Sequence, residues 1–491
     1  MLFNSYTFIL VFLPCVILGF MAVGRLAGSR GAIVWLILAS LFFYGYWNPI
    51  YLWLIAGTIL ANYAAGRALD RWRSRALLGA AIAGNLALLG YFKYANFFVD
   101  TFNGATGAGM YLAPIVLPLG ISFFTFQKIA YLVDSYRGLN PKHNLLHYSM
   151  FVTFFPQLLS GPIVHPSEIL PQCVGKARMR VTAEDLAVGV TIFIMGLTKK
   201  VAIADRISEY ANTVFDAAAS GTAPSLADAW VGALVYSLQL YFDFSGYSDM
   251  AIGLARIFGI LLPLNFNSPY KSESIIDFWR RWHMTLSRFL REYLYIPLGG
   301  NRKGETRRYV NLMITMLLGG LWHGAAWNFV LWGGLNGIFL CINTLWRALR
   351  KDKSPPSPTG RALSMLLTFV CVVMVRVFFR AESFPAAIAV LRGMTGFEGV
   401  SLATQFNYRA FVWVAALLPA VWFLPNVQQV MADAKPVLEW ERIQKQFTPT
   451  PAFLRWIRWR PRPQFAFVLA VLAFWLLTEM GRVKEFLYYQ F

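Results

Sequence analysis

From Tyr309 to Trp346 the chain runs for 38 residues without Asp, Glu, Lys or Arg, and the sole imidazole among them is His323. An ionisable side chain inside an apolar run is costly in a membrane and marks a functional candidate by default. A neutral imidazole is what general-base chemistry needs. The plainer reading is a hydrogen-bonded core histidine. As one straight helix the run would measure about 57 Å, nearly twice the roughly 30 Å hydrocarbon core. It must therefore break, and Gly319, Gly320 and Gly324 stand beside His323 to break it. A helix entering at Tyr309 places His323 about 21 Å along. Gly324, Ala325 and Ala326 leave room for a substrate, and Trp322 and Trp327 are candidate cavity walls.

Two further clusters have chemistry to offer. In the segment 272–292, Ser274 and Asp277 resemble a helix-starting capping box. Ile276, Trp279, Trp282 and Leu286 follow at helical spacing. Arg280, Arg281, Arg288 and Arg291 make the segment too charged to span, so an interfacial or re-entrant amphipathic helix is expected. Asp277–Arg281 and Arg288–Glu292 are i,i+4 pairs that support it. His283 lies four residues from both Trp279 and Ser287 and shares their side; it is either a site residue or a structural histidine. The other cluster is 241–250, where Asp243 and Asp249 are the only charged side chains between Asp228 and Arg256. Ser245 shares a helix face with Asp249, as Tyr247 does with Asp243. These aspartates either line a pocket, tie down a neighbouring helix, or sit bonded near the membrane edge.

The elements holding these residues are set by composition. Hydrophobic residues make up 57% of the chain and charged residues only 14%. A soluble domain has about 25% charged residues, so the composition excludes one, and it equally excludes a disordered chain. The expected fold is all-α and polytopic, with about eleven spans. The net charge of +20 divides among basic inner loops, the arginines around His283, and a segment at 431–463. There Arg455, Arg458, Arg460 and Arg462 interleave with Trp456 and Trp459 as in an interfacial anchor. No basic–aromatic soluble domain speaks for nucleic acid; membrane lipids are the natural partner of these charges. Cys15, Cys173, Cys341 and Cys371 are scattered, which indicates neither a disulfide framework nor a metal site.

Hydropathy places the first spans at 7–24, 32–46, 50–65, 77–92 and 113–133. The first is read as a retained span rather than a signal peptide, because no basic n-region or cleavage site accompanies it. Arg25 and Arg30, then Arg67, Arg71, Arg73 and Arg75, then Arg137 and Lys142 occupy alternate loops. Basic short loops stay in the cytoplasm, so the N-terminus is expected outside. The run 148–164 contains Pro156 and Pro162 and is expected to dip in and return. Further apolar stretches cover 186–204, 229–262, 309–346, 363–379, 384–396, 409–429 and 464–480, with a connecting loop at 350–361. One membrane domain is read over 1–491: N-terminal spans to 140, a core at 141–350, and C-terminal spans at 351–491.

Tyr241 to Gly253, Phe278 to Gly300 and Leu318 to Trp332 resemble the signature blocks of the membrane-bound O-acyltransferases, above all Phe-Trp-Arg-Arg-Trp-His at 278–283 and Leu-Trp-His-Gly-Ala at 321–325. The likeness runs from Phe-Leu-Pro at 12–14, through Gly-Tyr-Phe-Lys-Tyr-Ala-Asn at 90–96, to about residue 380. It is strongest toward the bacterial alginate O-acetyltransferase membrane components, with D-alanyl transferases more distant. The resemblance implies re-entrant helices around a central tunnel in the bacterial inner membrane. It makes His323 the essential histidine, reached from both faces, and His283 a second site residue. Asp243, Ser245, Asp249, Trp279, Arg281, Trp322 and Trp327 are the expected tunnel lining. No permanent cofactor is implied; acetyl-coenzyme A or an acyl-carrier thioester would be the donor, and periplasmic esterase-like transferases the partners. The activity implied is O-acetylation of an exported polysaccharide such as alginate or cellulose. The alternatives are D-alanyl transfer and a non-enzymatic transporter or export pore, the last disfavoured by the lack of internal repeats.

Overall fold

In the computed structural model the described residues are 1–174, 181–350, 354, 356–399, 408–482 and 487, and among them there is no β-strand. The first two expected spans form one helical run, a π-turn at Thr7–Phe12 followed by α1 (Leu13–Gly45), folded back at Gly28. Gly28 has φ +66° and ψ −165°, a conformation that glycine adopts at no steric cost. Trp35 Nε1 donates to Val16 O at 2.9 Å, which proves the two halves lie side by side. Next come α2 (Tyr51–Trp72) and α3 (Arg75–Leu89), the latter continuing through a π-turn into α4 (Ala95–Thr106). The expected fifth span begins late: residues 110–118 are non-helical, and α5 covers Ile121–Arg137.

The region 148–164 is broken, as its prolines require. It contains α6 (Leu145–Thr153) and the single turn α7 (Phe155–Leu158), then extended chain leading into α8 (Pro166–Cys173). All of 150–164 is buried. A second helical run joins α9 (Ala183–Leu197) through a π-helical stretch at Thr198–Ala204 to α10 (Asp205–Ala219). It packs on α11 (Leu226–Ile257), nearly all of which is buried. Two glycine pairs allow the close approach. A Cβ on Gly196 would meet Gly246 O at 2.6 Å, and one on Gly253 would meet Gly189 O at 2.5 Å. The two glycines on each helix are seven residues apart, two turns, so both pairs share one seam.

The segment expected as one amphipathic helix is two: α12 (Ile275–Arg281) and α13 (Met284–Leu290). Ser274 does cap the first, accepting from Asp277 N. Trp282 and His283 leave the helix, His283 with φ +43°. Their freed backbone is satisfied by extended chain: Asn267 N donates to Arg281 O, and Met284 N to Asn265 O, both at 2.9 Å. The pair is re-entrant. Its entry, Glu273, pairs with Arg361 at 3.1 Å, its exit lies under Arg137, whose guanidinium sits 5.7 Å from the Tyr293 ring, and its turn is fully buried. Arg137 follows the fifth expected span, so the exit lies on the side of that basic loop.

The uncharged run becomes a hairpin of α14 (Glu305–His323) and α15 (Trp327–Leu349), joined by extended residues 324–326. The break falls at Gly324 alone. Gly319 and Gly320 stay helical, and Gly320 packs against Gly333 of the returning helix, where a Cβ would meet Phe329 O at 2.2 Å. Then follow α16 (Pro358–Arg380), α17 (Phe384–Thr395), α18 (Arg409–Phe423) and the turns α19 (Val427–Val430) and α20 (Trp440–Ile443), and last α21 (Pro463–Glu479). Five described helical runs are long and apolar enough to cross a membrane, and α17, α18 and α21 are shorter apolar helices. Of the expected loop at 350–361, Lys351–Lys353 and Pro355 lie outside the described residues.

The glycine seam generates a test. Gly246→Ala puts a Cβ 2.8 Å from Gly196 O and is expected to destabilise by about 1–3 kcal/mol, as overpacking does. Gly84→Ala, in α3 with nothing within 4 Å, is expected to leave stability unchanged or raise it by about 0.5 kcal/mol. Detergent unfolding titrations of the two variants measure the contrast.

Candidate active site

His323 is the last residue of α14 and is 5% exposed. A helix that ends inside a membrane protein leaves its last carbonyls without intrahelical partners, and there is no bulk water to take them. Two side chains of the 90–96 segment do so. Lys93 Nζ donates to Trp322 O at 2.5 Å and His323 O at 3.1 Å, and Tyr94 OH donates to Leu321 O at 2.9 Å. An ammonium at the negative end of a helix is also favoured by the helix dipole. The imidazole is walled by aromatic rings, with centroids of Trp322 and Trp332 both at 5.0 Å and Phe379 at 5.4 Å. On one side His323 lines a cavity of about 310 Å³ with Lys93, Trp322, Trp47, Pro118 and Ser160. On the other it lines a void of about 20 Å³.

His283 is fully buried at the re-entrant turn. Its Nδ1 lies 3.0 Å from Asn265 Oδ1, which also accepts from Thr285 Oγ1 at 2.9 Å. An amide oxygen only accepts, so Nδ1 carries the hydrogen and a neutral ring would have its lone pair on Nε2. The Trp322 ring lies close to both histidines, 6.2 Å from His283 and 5.0 Å from His323 by centroids. One indole thus packs against both imidazoles.

Toward the basic-loop face opens a third cavity, of about 550 Å³. Trp279, Arg280, Arg281, Arg288, Arg291 and Arg442 line it, together with Thr285. Arg281 pairs with Asp277 at 3.0 Å as its spacing suggests. Arg288 does not pair with Glu292; both its terminal nitrogens reach Glu168, at 2.7 and 2.8 Å. The carboxylate of α8 outcompetes the local one because the fork matches it bidentately. Of the segment 431–463, the first part supplies the rim with Glu439, Arg442 and Gln446, while Trp456, on which the expected anchor rests, is 78% exposed. Leu438 N donates to Leu262 O at 3.0 Å and Trp459 N to Val430 O at 2.9 Å.

Other expected residues stand elsewhere. Asp243, Ser245 and Asp249 line none of these three cavities. They tie α11 to the π-helical stretch: Lys200–Asp243 and Lys199–Asp249 are both 2.6 Å, and Lys200 also meets Asp205 at 2.8 Å. Lys199 reaches Ser245 Oγ at 3.5 Å. Buried carboxylates demand such partners, and the π-stretch presents both lysines to α11. Trp327 is 61% exposed and packs on Phe97 at 5.6 Å, away from the imidazole. Gly324 makes room for the Phe329 ring, which a Cβ would meet at 2.1 Å, and not for a substrate. Sequence reasoning missed Lys93, Tyr94, Asn265, Trp332, Arg376 and Phe379 as neighbours of the histidines. Three of these had a signal: Arg376 is a charge inside the apolar stretch 363–379, and Lys93 and Tyr94 belong to the 90–96 block. For the capping role, Lys93→Met is expected to cost about 2–3 kcal/mol by orphaning two carbonyls, with Lys93→Arg recovering part; detergent unfolding titrations check this.

Comparison with known proteins now joins the geometry. A model of the membrane-bound O-acyltransferase family matches residues 17–376. The peptidoglycan O-acetyltransferase of Helicobacter pylori is 44% identical over 434 residues, covering 82% of this chain and 81% of that protein. The probable alginate O-acetylase AlgI of Pseudomonas aeruginosa is 43% identical, covering 81% of this chain and 75% of that protein. The teichoic acid D-alanyltransferase of Bacillus subtilis is 30% identical, over 52% of this chain and 66% of its own length. The match takes in both histidine blocks and the 90–96 cap: the chain is a multi-pass membrane acyltransferase and belongs to the membrane-bound O-acyltransferase family.

Proposed function

We propose that this protein carries an acetyl group across the bacterial inner membrane, from a cytoplasmic thioester to an exported polysaccharide, with His323 as the base. The observation that carries the reading is the position of His323: it ends a helix between a cavity on one side and a void on the other, with a basic cavity on the opposite face of the protein. Relatives above 40% identity named as O-acetylases of alginate and peptidoglycan support acetyl as the group and a polysaccharide as the destination. The N-terminus is read as periplasmic. Met1 and Trp47 line the outer cavity with His323, and neither lies near the arginine-rich loops.

In this reading the donor is acetyl-coenzyme A or an acyl-carrier thioester, held at the basic cavity. Arg280, Arg281, Arg288, Arg291 and Arg442 present guanidinium groups whose planar forks suit phosphate. Trp279 forms part of the wall along which the thioester arm would enter. His323 takes the proton of the attacking hydroxyl, and the aromatic box around it excludes water that would hydrolyse the thioester. His283, pinned by Asn265, sits on the donor side of Trp322 and orients the arm. Periplasmic esterase-like transferases are the proposed partners that complete delivery to the polymer. D-alanyl transfer is the second reading, resting on relatives of about half coverage.

His323→Ala is expected to abolish polymer acetylation while the protein inserts and accumulates normally; unchanged acetylation would overturn the proposal. Arg280→Gln and Arg291→Gln are each expected to raise KM for acetyl-coenzyme A about tenfold, the equivalent of about 1.4 kcal/mol, with kcat unchanged. Turnover of acetyl-coenzyme A against carrier-bound D-alanine decides between the two acyl groups.

A further inference from the structure

Arg376 lies on α16 one turn before its end and is 4% exposed. It lines the 20 Å³ void together with His323, Trp282, Trp332, Asn336 and Phe379. Its guanidinium is stacked among rings, 4.1 Å from the centroid of Trp282, 5.3 Å from Tyr270 and 5.7 Å from Phe278. Nη1 donates to Ser237 O at 3.3 Å and to the Tyr270 hydroxyl, which itself donates to Ser237 O at 2.5 Å. Among the described residues Nη2 has no hydrogen-bond partner, and no carboxylate pairs with the group.

Burying a cation without an anion is unfavourable, and aromatic faces offset only part of the cost. The other buried cations of this protein have their donors engaged elsewhere: Lys199 and Lys200 by aspartates, Lys93 by helix-terminal carbonyls, and Lys128 by the Thr58 hydroxyl and the Phe124 ring. Arg376 differs in lining, together with the imidazole, a void of about 20 Å³ while the hydrogens of its Nη2 have no described partner. Rings hold it in place where a carboxylate would have cancelled it. An intramembrane cation so placed awaits an anion that is present only part of the time.

We propose that Arg376 binds the acyl carbonyl oxygen and holds the negative charge that builds on it during transfer at His323. This rests on the reading of His323 as the base. The acceptor hydroxyl gives its proton to the imidazole as its oxygen bonds to the thioester carbonyl carbon. The carbonyl π pair moves onto oxygen, and that oxyanion accepts the Nη2 hydrogen of Arg376 in the void. The pair returns to re-form C=O, the carbon–sulfur bond breaks, and the thiolate leaves with the proton from the imidazolium. Trp282, Tyr270 and Phe278 are positioning residues that keep the guanidinium plane aimed at the void.

The test uses the full-length protein in proteoliposomes with acetyl-coenzyme A and an acceptor polymer. Arg376→Gln is expected to lower kcat about 10²- to 10³-fold, as loss of an oxyanion donor does, with KM for the donor within about threefold of the parent. Arg376→Lys, which keeps the charge, retains more activity than Arg376→Gln and serves as the measured arm if the glutamine variant does not accumulate. The fluoroacetyl thioester, whose carbonyl needs less help, shows a smaller deficit than acetyl in either variant. A kcat within threefold of the parent in a folded Arg376 variant, or an effect on KM alone, overturns the inference. His323→Ala runs in parallel: if it stays active the underlying reading fails, whereas an inactive His323→Ala beside an active Arg376→Gln refutes the oxyanion role alone.

Discussion

A helix that stops inside a membrane protein must find partners for its last carbonyl groups, and the rest of the site follows from how this chain meets that demand. α14 stops at His323 because residues 324–326 are extended and α15 turns back. Lys93 and Tyr94 then take the carbonyls of Leu321, Trp322 and His323. The cap joins the α3–α4 run to the α14–α15 hairpin across 230 residues of sequence. It also holds the imidazole at the bottom of the cavity that opens away from the basic loops. The re-entrant pair α12–α13 brings His283 to the same depth from the other face, with its broken backbone satisfied by the extended chain at 265–267. Two interruptions of helix, each paired off by polar groups of a distant segment, thus come together beside one indole, that of Trp322.

Charge inside the protein divides by function. The ladder between the π-stretch and α11 sets Lys199 and Lys200 against Asp243, Asp249 and Asp205 and lies along the glycine seam. Its members are the ionisable residues that an intramembrane reading singles out first, and they hold helices together. The arginines are arranged differently. Among the described residues Arg280 and Arg291 of the basic cavity have no carboxylate partner, though Arg281, Arg288 and Arg442 do, and Arg376 stays unpaired by any described carboxylate beside His323. An acyl group passing from the first to the second would leave its phosphates behind and meet a single buried cation where charge develops.

Much of this was legible in the sequence. Hydropathy located the helices, including the hairpin at 309–346, because 38 uncharged residues cannot be accommodated in one crossing. Charge alternation and the prolines at 156 and 162 pointed to the broken segment, and the histidine blocks announced the family. What was not legible depended on tertiary partners. The amphipathic period across 275–290 is continuous, so nothing local betrays the break at Trp282 and His283, which the strand-like chain at 265–267 stabilises. Asp243 and Asp249 could be read as pocket residues, as ties to a neighbouring helix or as bonded groups near the membrane edge, and only the π-stretch beside them selects the tie. Arg288 was assigned its local glutamate, whereas Glu168, 120 residues away, binds it. Arg376 was not singled out, because the void beside it is lined by five separate segments of the chain.

The central claim is that acetyl passes through the protein from one face to the other by way of His323. It is tested most directly by sidedness in proteoliposomes of defined orientation, with acetyl-coenzyme A on the basic-loop side only and acceptor polymer enclosed on the other. The account predicts acetylated polymer in the enclosed compartment, with the vesicles sealed throughout and no product from the His323→Ala protein. Acetylation that occurs only when donor and acceptor share a compartment would contradict it.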